Sequence, residues 1–152
     1  MRRLRSSAIL ESALGVAFVG PDALRLDAAN LAEVDWDRAV LAFVPTLTLL
    51  PATTNAGAIW SAIMREERPP PAERLPVPTS IAIWREGFTA AFRTFELAEA
   101  DALQAMRDGM TFGALCDRLV GRLGDEHGPA AAGGMLARWL ADGIIADCRD
   151  AD

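Results

Sequence analysis

Ser80-Ile81-Ala82-Ile83-Trp84, then Arg85-Glu86-Gly87, then Ala91-Phe92-Arg93-Thr94-Phe95: this stretch decides the fold. The first run has the β-branched and aromatic content of a strand, and Pro76 and Pro78 just before it exclude a helix. Glu86-Gly87 supplies turn chemistry, and 91–95 returns as a second strand. Side chains alternate along a strand, which puts Ile81, Ile83 and Arg85 on one face and Ala82 and Trp84 on the other. Downstream the period changes from two to 3.6. Leu97, Ala100, Leu103 and Met106 recur at helical spacing and stop at Gly109. Thr111 is the N-cap of a second helix with Phe112, Leu115, Cys116, Leu119 and Leu123 on one face, ended by Gly124. Residues 124–129 read as a turn, 130–142 as a third helix carrying Trp139 and Leu140, and Gly143 as its stop. Residues 144–146 form a short extended segment, and the acidic tail beyond Asp147 is expected to fray.

Upstream, a helix is expected over 8–16, a strand over 40–50, and a helix over 55–64 with Ile59, Trp60 and Ile63. Arg68-Pro69-Pro70-Pro71 reads as a stiff, polyproline-type connector. The expected class is α+β. An N-terminal lobe of helix and strand (1–67) leads through a proline-rich connector (68–78) to a hairpin with three helices (79–147) and a tail (148–152). Hairpin and helices in this order resemble a winged helix with its wing placed first.

Length and composition narrow the function. A chain of 152 residues can bury a working core, and no apolar run approaches the ~18 residues that would span a bilayer. The arginine-rich start followed by an apolar run is similar to a secretory signal. Glu11 interrupts that run and no small-x-small site follows, so a signal is not expected. Two cysteines make no disulfide framework, which fits a reducing, cytoplasmic setting. All fifteen basic residues are arginine. From Pro76 onward seven arginines face twelve acids, a balance of −5 out of the net −6. Such a half repels phosphate backbones and steers toward a basic partner surface.

The residues for catalysis are sparse. His127 is the single histidine, in a glycine-flanked acidic stretch, so no histidine metal cage can form within the chain. Cys116 lies on an apolar helix face and Cys148 in the tail, neither beside a basic cluster or in a CxxC pair. Gly133-Gly134 lacks the lysine and hydroxyl of a phosphate loop. The expected DNA-reading helix, 130–142, offers Arg138 and no Asn or Gln to read an adenine. An enzyme is not expected.

Several runs together resemble one protein group: SIAIWR (80–85), FRTFEL (92–97), ALQAMRDG (102–109), TFGALC (111–116) and WLADGI (139–144). FVPTLTLL (43–50) and AIW (58–60) extend the likeness over residues 36–146. The group is the partner proteins, long labelled DNA-binding, of multinuclear non-heme iron-dependent oxidative enzymes. The methanobactin and bufferin maturation partners belong to it. The outline is shared with the winged-helix peptide-recognition domains of ribosomally made natural-product pathways. The short N-terminal lobe is closer to the methanobactin type. The resemblance implies a non-catalytic subunit in a heterodimer with an iron-containing oxidase. That subunit grips the leader of a precursor peptide whose cysteines the oxidase modifies, toward a copper-binding product. It brings no cofactor of its own, since the iron sits in the partner enzyme.

The implied mode is strand addition, along 91–95 or 80–84, with Ile81, Ile83, Arg85, Phe92, Arg93, Thr94 and Phe95 as the peptide-binding residues. Each also has a plainer role. Ile81 and Ile83 suit the core under the helices, and Arg85 and Arg93 suit either hairpin surface charges or partners for an acidic leader. Trp60 suits the core or an anchor in the enzyme interface. The alternative function is a winged-helix DNA-binding transcriptional regulator.

Overall fold

Residues 31–152 are described by a computed structural model, and the helix expected over 8–16 lies outside them. The described residues are α+β. In chain order the elements are β1 (Ala39–Phe43), β2 (Thr48–Thr54), α1 (Ala56–Met64), β3 (Arg74–Glu86) and β4 (Thr89–Glu96). Then follow α2 (Leu97–Arg107), α3 (Phe112–Asp142) and β5 (Ile145–Asp150). No helix among the described residues is long and apolar enough to cross a membrane.

The backbone gathers into two units. One is Pro45–Asp101; the other joins the described residues up to Val44 with Ala102–Asp152. This replaces the division expected at the proline run. Two long-range pairings are the reason: β2 pairs with β3 across that run, and β1 pairs with β5 at the far end of the chain. The strand expected over 40–50 is accordingly two strands in two sheets, separated at Pro45-Thr46. Pro45 has no N–H to give a ladder, and the chain leaves the β1–β5 pair there before β2 begins.

In Pro45–Asp101 the sheet order is β2-β3-β4, antiparallel throughout. β3 is longer than expected and contains Pro76 and Pro78. Its ladder with β4 reaches only to Thr79 opposite Glu96, so both prolines lie beyond the point where β3 must donate to β4. Gly87 (φ 57) is the first of two loop residues between Glu86 and Thr89, the position a type II′ hairpin reserves for positive φ. The proline run is strapped down. Asn55 donates its side-chain N–H to the Pro71 carbonyl and accepts from the Glu73 N–H, both at 2.9 Å.

The other unit is built on α3 and the β1–β5 pair. Thr111 caps α3, its hydroxyl accepting from the Ala114 N–H at 3.2 Å, as the sequence predicts. Phe112, Leu115 and Leu119 are buried, whereas Leu123 is exposed. Trp36 meets Phe112 edge-on at 5.5 Å between ring centroids, and Phe43 meets Trp139 at 5.9 Å. Residues 125–129 are helical rather than a turn, so α3 is two arms meeting at Gly124 (φ 87, ψ 171). Asp125 and Glu126 open the second arm, where acidic side chains favour the partial positive charge of a helix start. Pro129 is the fifth residue of that arm and forfeits the bond an N–H there would make to the Asp125 carbonyl. The tail does not fray: β5 runs to Asp150 along β1, and the Ala151 N–H donates to the Arg38 carbonyl at 2.8 Å.

The end of α1 carries a cost. The Glu66 and Glu67 N–H groups donate to Ile63 and Ala62 carbonyls at 3.1 and 2.9 Å, a Schellman closure with Glu66 at φ 58. Glycine is the residue that meets no Cβ penalty there. Two opposite substitutions follow. Glu66→Gly should raise stability by about 0.5–1 kcal/mol, and Gly124→Ala should lower it by about 1 kcal/mol or more. Urea titrations of the two variants give the signs directly.

Candidate functional site

Side-chain alternation divides the β2-β3-β4 sheet into two unlike faces. The register sets Ile81 opposite Thr94, Ile83 opposite Phe92 and Arg85 opposite Ala90, with Thr48 and Leu50 alongside on β2. This is the face that α1 covers. Gly57 lies against the Thr94 side chain so closely that any Cβ would collide with the Thr94 hydroxyl, and Ile81 is next nearest. A larger residue at 57 would require the Thr94 hydroxyl to rotate or the helix to shift. Three residues on, Trp60 packs edge-on against Phe92, with ring centroids 6.2 Å apart at 82°.

The flank of α1 beside β4 is not covered. Trp60, Ile63 and Met64 are 61%, 55% and 64% exposed. Their i, i+3, i+4 spacing makes them one stripe. The ring contact with Phe92 joins that stripe to β4. Among the described residues β4 is an outer strand of the sheet, with β3 as its ladder partner. The two-residue loop makes Glu86 and Thr89 the hydrogen-bonded pair that closes the hairpin. Alternation then turns the backbone groups of Ala90, Phe92, Thr94 and Glu96 outward. Ala90, Thr94 and Glu96 are exposed, and Phe92 is half-buried. A row of outward N–H and C=O groups beside an apolar stripe favours an added strand.

The opposite face is closed. Ala82, Trp84 and Phe95 are buried, Phe95 with 0% exposure. Arg93 holds Glu99 through both guanidinium nitrogens, at 2.8 and 3.2 Å, and its guanidinium lies 4.0 Å over the Phe95 ring. Glu99 is only 5% exposed, so this pair neutralises a carboxylate taken out of water.

The expected site residues therefore do not share one surface. Ile81, Ile83, Arg85, Phe92 and Thr94 stand on the α1 face with Trp60; Arg93 and Phe95 stand on the other. Phe95 is core. Of the two candidate edges, 80–84 is unavailable, because β3 is the central strand and both its ladders are occupied. The Arg85 N–H is capped by the Thr46 hydroxyl at 3.1 Å, and its side chain is exposed. Ile63 and Met64 complete the stripe that reasoning from Trp60 alone missed, although their helical spacing is legible in the sequence. Glu99 left no such signal: nothing in the sequence marks that acid as buried.

Elsewhere the chemistry is quiet. Among the described residues no group of three or more His, Cys, Asp or Glu could hold a metal ion. His127 is exposed on α3. Burial pushes the Cys116 thiol up to about 12, reinforced by the negative charges of Asp117 and Asp37. Cys148 is raised to about 11, again by burial first and then by Asp147 and Asp150.

Two measurements test this electrostatic picture. Glu99→Leu strands Arg93 beside Phe95 and should cost about 2 kcal/mol or more, with Arg93→Met on top recovering part of the loss in a double-mutant cycle. Both thiols should react slowly with a disulfide reagent at pH 8. Their raised values favour the protonated form in the folded chain, so this stability is complete below the unfolded thiol pKa near 9 and is lost as pH rises through 11–12. Rapid labelling of the folded chain at pH 8 would contradict the assignment.

Comparison of the chain with protein-family models, with curated proteins and with solved structures found no match.

Proposed function

We propose that this chain is a non-catalytic subunit that binds the leader of a ribosomally made precursor peptide and presents it to an iron-dependent oxidase that modifies the peptide's cysteines. The product class is the methanobactin-type, copper-binding natural product, and the complex is cytoplasmic, where such a peptide is made. One observation carries this reading: the outward row of Ala90, Phe92, Thr94 and Glu96 on β4, bordered by the stripe of Trp60, Ile63 and Met64. An extended peptide added there gains backbone hydrogen bonds for affinity and rests alternate side chains on α1 for specificity. Trp60 then serves as a peptide anchor beside Phe92 rather than as part of the enzyme interface. Arg93 is engaged with Glu99, which leaves Arg85 as the arginine on this face suited to an acidic leader side chain.

The β3–β4 hairpin, α2 and the two arms of α3 follow one another along the chain in the order of a winged helix, although the hairpin and α3 fall in different units, so the likeness of 79–147 to a peptide-recognition domain rests on element order alone. The iron in this scheme belongs to the oxidase. A DNA-binding regulator is the competing outcome. The second arm of α3 opposes it, since Asp125 and Glu126 stand at its start where a phosphate would approach.

The decisive experiment titrates a labelled leader peptide, taken from the precursor made with the oxidase, into wild type, Thr94→Pro and Ala90→Pro. Both prolines remove an outward N–H without touching the β3 ladder, and Ala90→Pro is the one that leaves the Gly57–Thr94 packing alone. Each should weaken binding about tenfold, the loss of roughly one backbone hydrogen bond, with an unchanged circular dichroism spectrum. Wild-type affinity in both would remove β4 as the site. A specific, salt-dependent shift of duplex DNA at physiological salt would favour the regulator instead.

A further inference from the structure

We propose that, when no peptide occupies it, β4 pairs with β4 of a second copy of this chain, antiparallel about a twofold axis at Arg93, joining two three-stranded sheets into one of six strands. This rests on reading β4 as a strand-accepting edge, and adds that the occupant in the free protein is the protein itself.

Backbone parity permits it. In an antiparallel pair, residues that exchange hydrogen bonds must both turn their N–H and C=O groups outward. With the axis at Arg93, Phe92 pairs with Thr94 of the second copy and Ala90 with Glu96 of the second copy. All four belong to the outward row.

Charge selects that register among the possible ones. Arg85 stands directly across the β3–β4 ladder from Ala90, on the same face. Glu96 of the second copy would lie on the other side of Ala90, so the two long side chains meet over a single methyl group, and the symmetry repeats the contact. Both residues are exposed. Within one chain they cannot neutralise each other, because Ala90 and Glu96 are six residues apart on β4, about 20 Å. The arrangement is self-complementary between copies and not within one.

The helices fit as well. α1 sits where Gly57 meets Thr94 and Ile81, over the gap between β3 and β4. Two copies of that helix across the axis would stand about two strand spacings apart, ~10 Å, which is the ordinary packing distance of helices. Trp60, Ile63 and Met64 of each copy would then face their equivalents, covering an apolar stripe that is otherwise more than half exposed. At the axis Arg93 faces its own copy on the opposite side of the sheet, and its bidentate hold on Glu99 offsets the like charge.

Self-pairing makes leader binding a competition: the peptide must displace a second copy, so its apparent affinity falls as protein concentration rises. Sedimentation of wild type, Arg85→Glu, Glu96→Arg and the double variant tests the pairing without any peptide. Wild type should show a concentration-dependent dimer. Each single reversal makes two repulsive contacts and should weaken dimerisation about tenfold, and the double reversal should restore it. A chain that stays monomeric at every concentration, or a double variant no better than the singles, overturns the pairing. A monomeric chain that nonetheless binds leader peptide sinks this inference alone. A dimer with the expected reversal pattern that no leader peptide dissociates upholds it and sinks the peptide reading instead.

Discussion

β3 is paired along both edges, and most of the Pro45–Asp101 unit depends on that constraint. A central strand must offer its N–H and C=O groups to both sides, so what it excludes is as informative as what it binds. Pro76 and Pro78 are tolerated only because β4 ends at Glu96, before the ladder reaches them. Pro51 is tolerated because β2 is an outer strand. With β2 on one side and β4 on the other, the alternation of Ile81, Ile83 and Arg85 against Ala82 and Trp84 becomes two chemically different faces. One is sealed around Phe95 and the Arg93–Glu99 pair. The other carries a short helix that is too narrow to cover it.

That helix is held by small contacts rather than by a large core. Gly57 lets it approach Thr94 closely, Asn55 ties its start to the proline run, and a Schellman turn on Glu66 closes its end. Only Gly57 and Ala62 are buried within it. A nine-residue helix with so little burial is marginal by itself in water, and its largest side chains lie along the flank beside β4, more than half exposed. An exposed Trp, Ile and Met in register, next to a strand edge with no ladder partner among the described residues, is an arrangement that folded proteins ordinarily avoid unless the surface is used.

Burial rather than composition sets the electrostatics. The net charge of −6 suggests a repulsive, solvated surface, yet the acid that matters most to the sheet is out of water and held by an arginine. The same burial leaves Cys116 and Cys148 as packing groups with little thiolate character, in line with their apolar and acidic neighbours.

Local rules were enough wherever the outcome depended on neighbours in sequence. The hairpin with Gly87 in its loop, the Thr111 cap, the stops at Gly109 and Gly143, and the helix carrying Trp60 all follow from spacing, turn chemistry and capping. What those rules could not reach was pairing between distant segments. Nothing local shows that residues 48–52 pair with 79–83 across a proline run, or that an acidic tail becomes a strand against 39–43. The site followed the same line. The alternation of Ile81, Ile83 and Arg85 was legible, but whether 80–84 or 91–95 keeps a free edge depends on a third strand that the hairpin sequence does not contain. Glycine 124 reads locally as a helix end, and only the packed unit turns the residues after it into a second arm. Hydrogen-bond partners far apart in sequence are chosen by the whole chain, because each buried N–H and C=O must be satisfied somewhere.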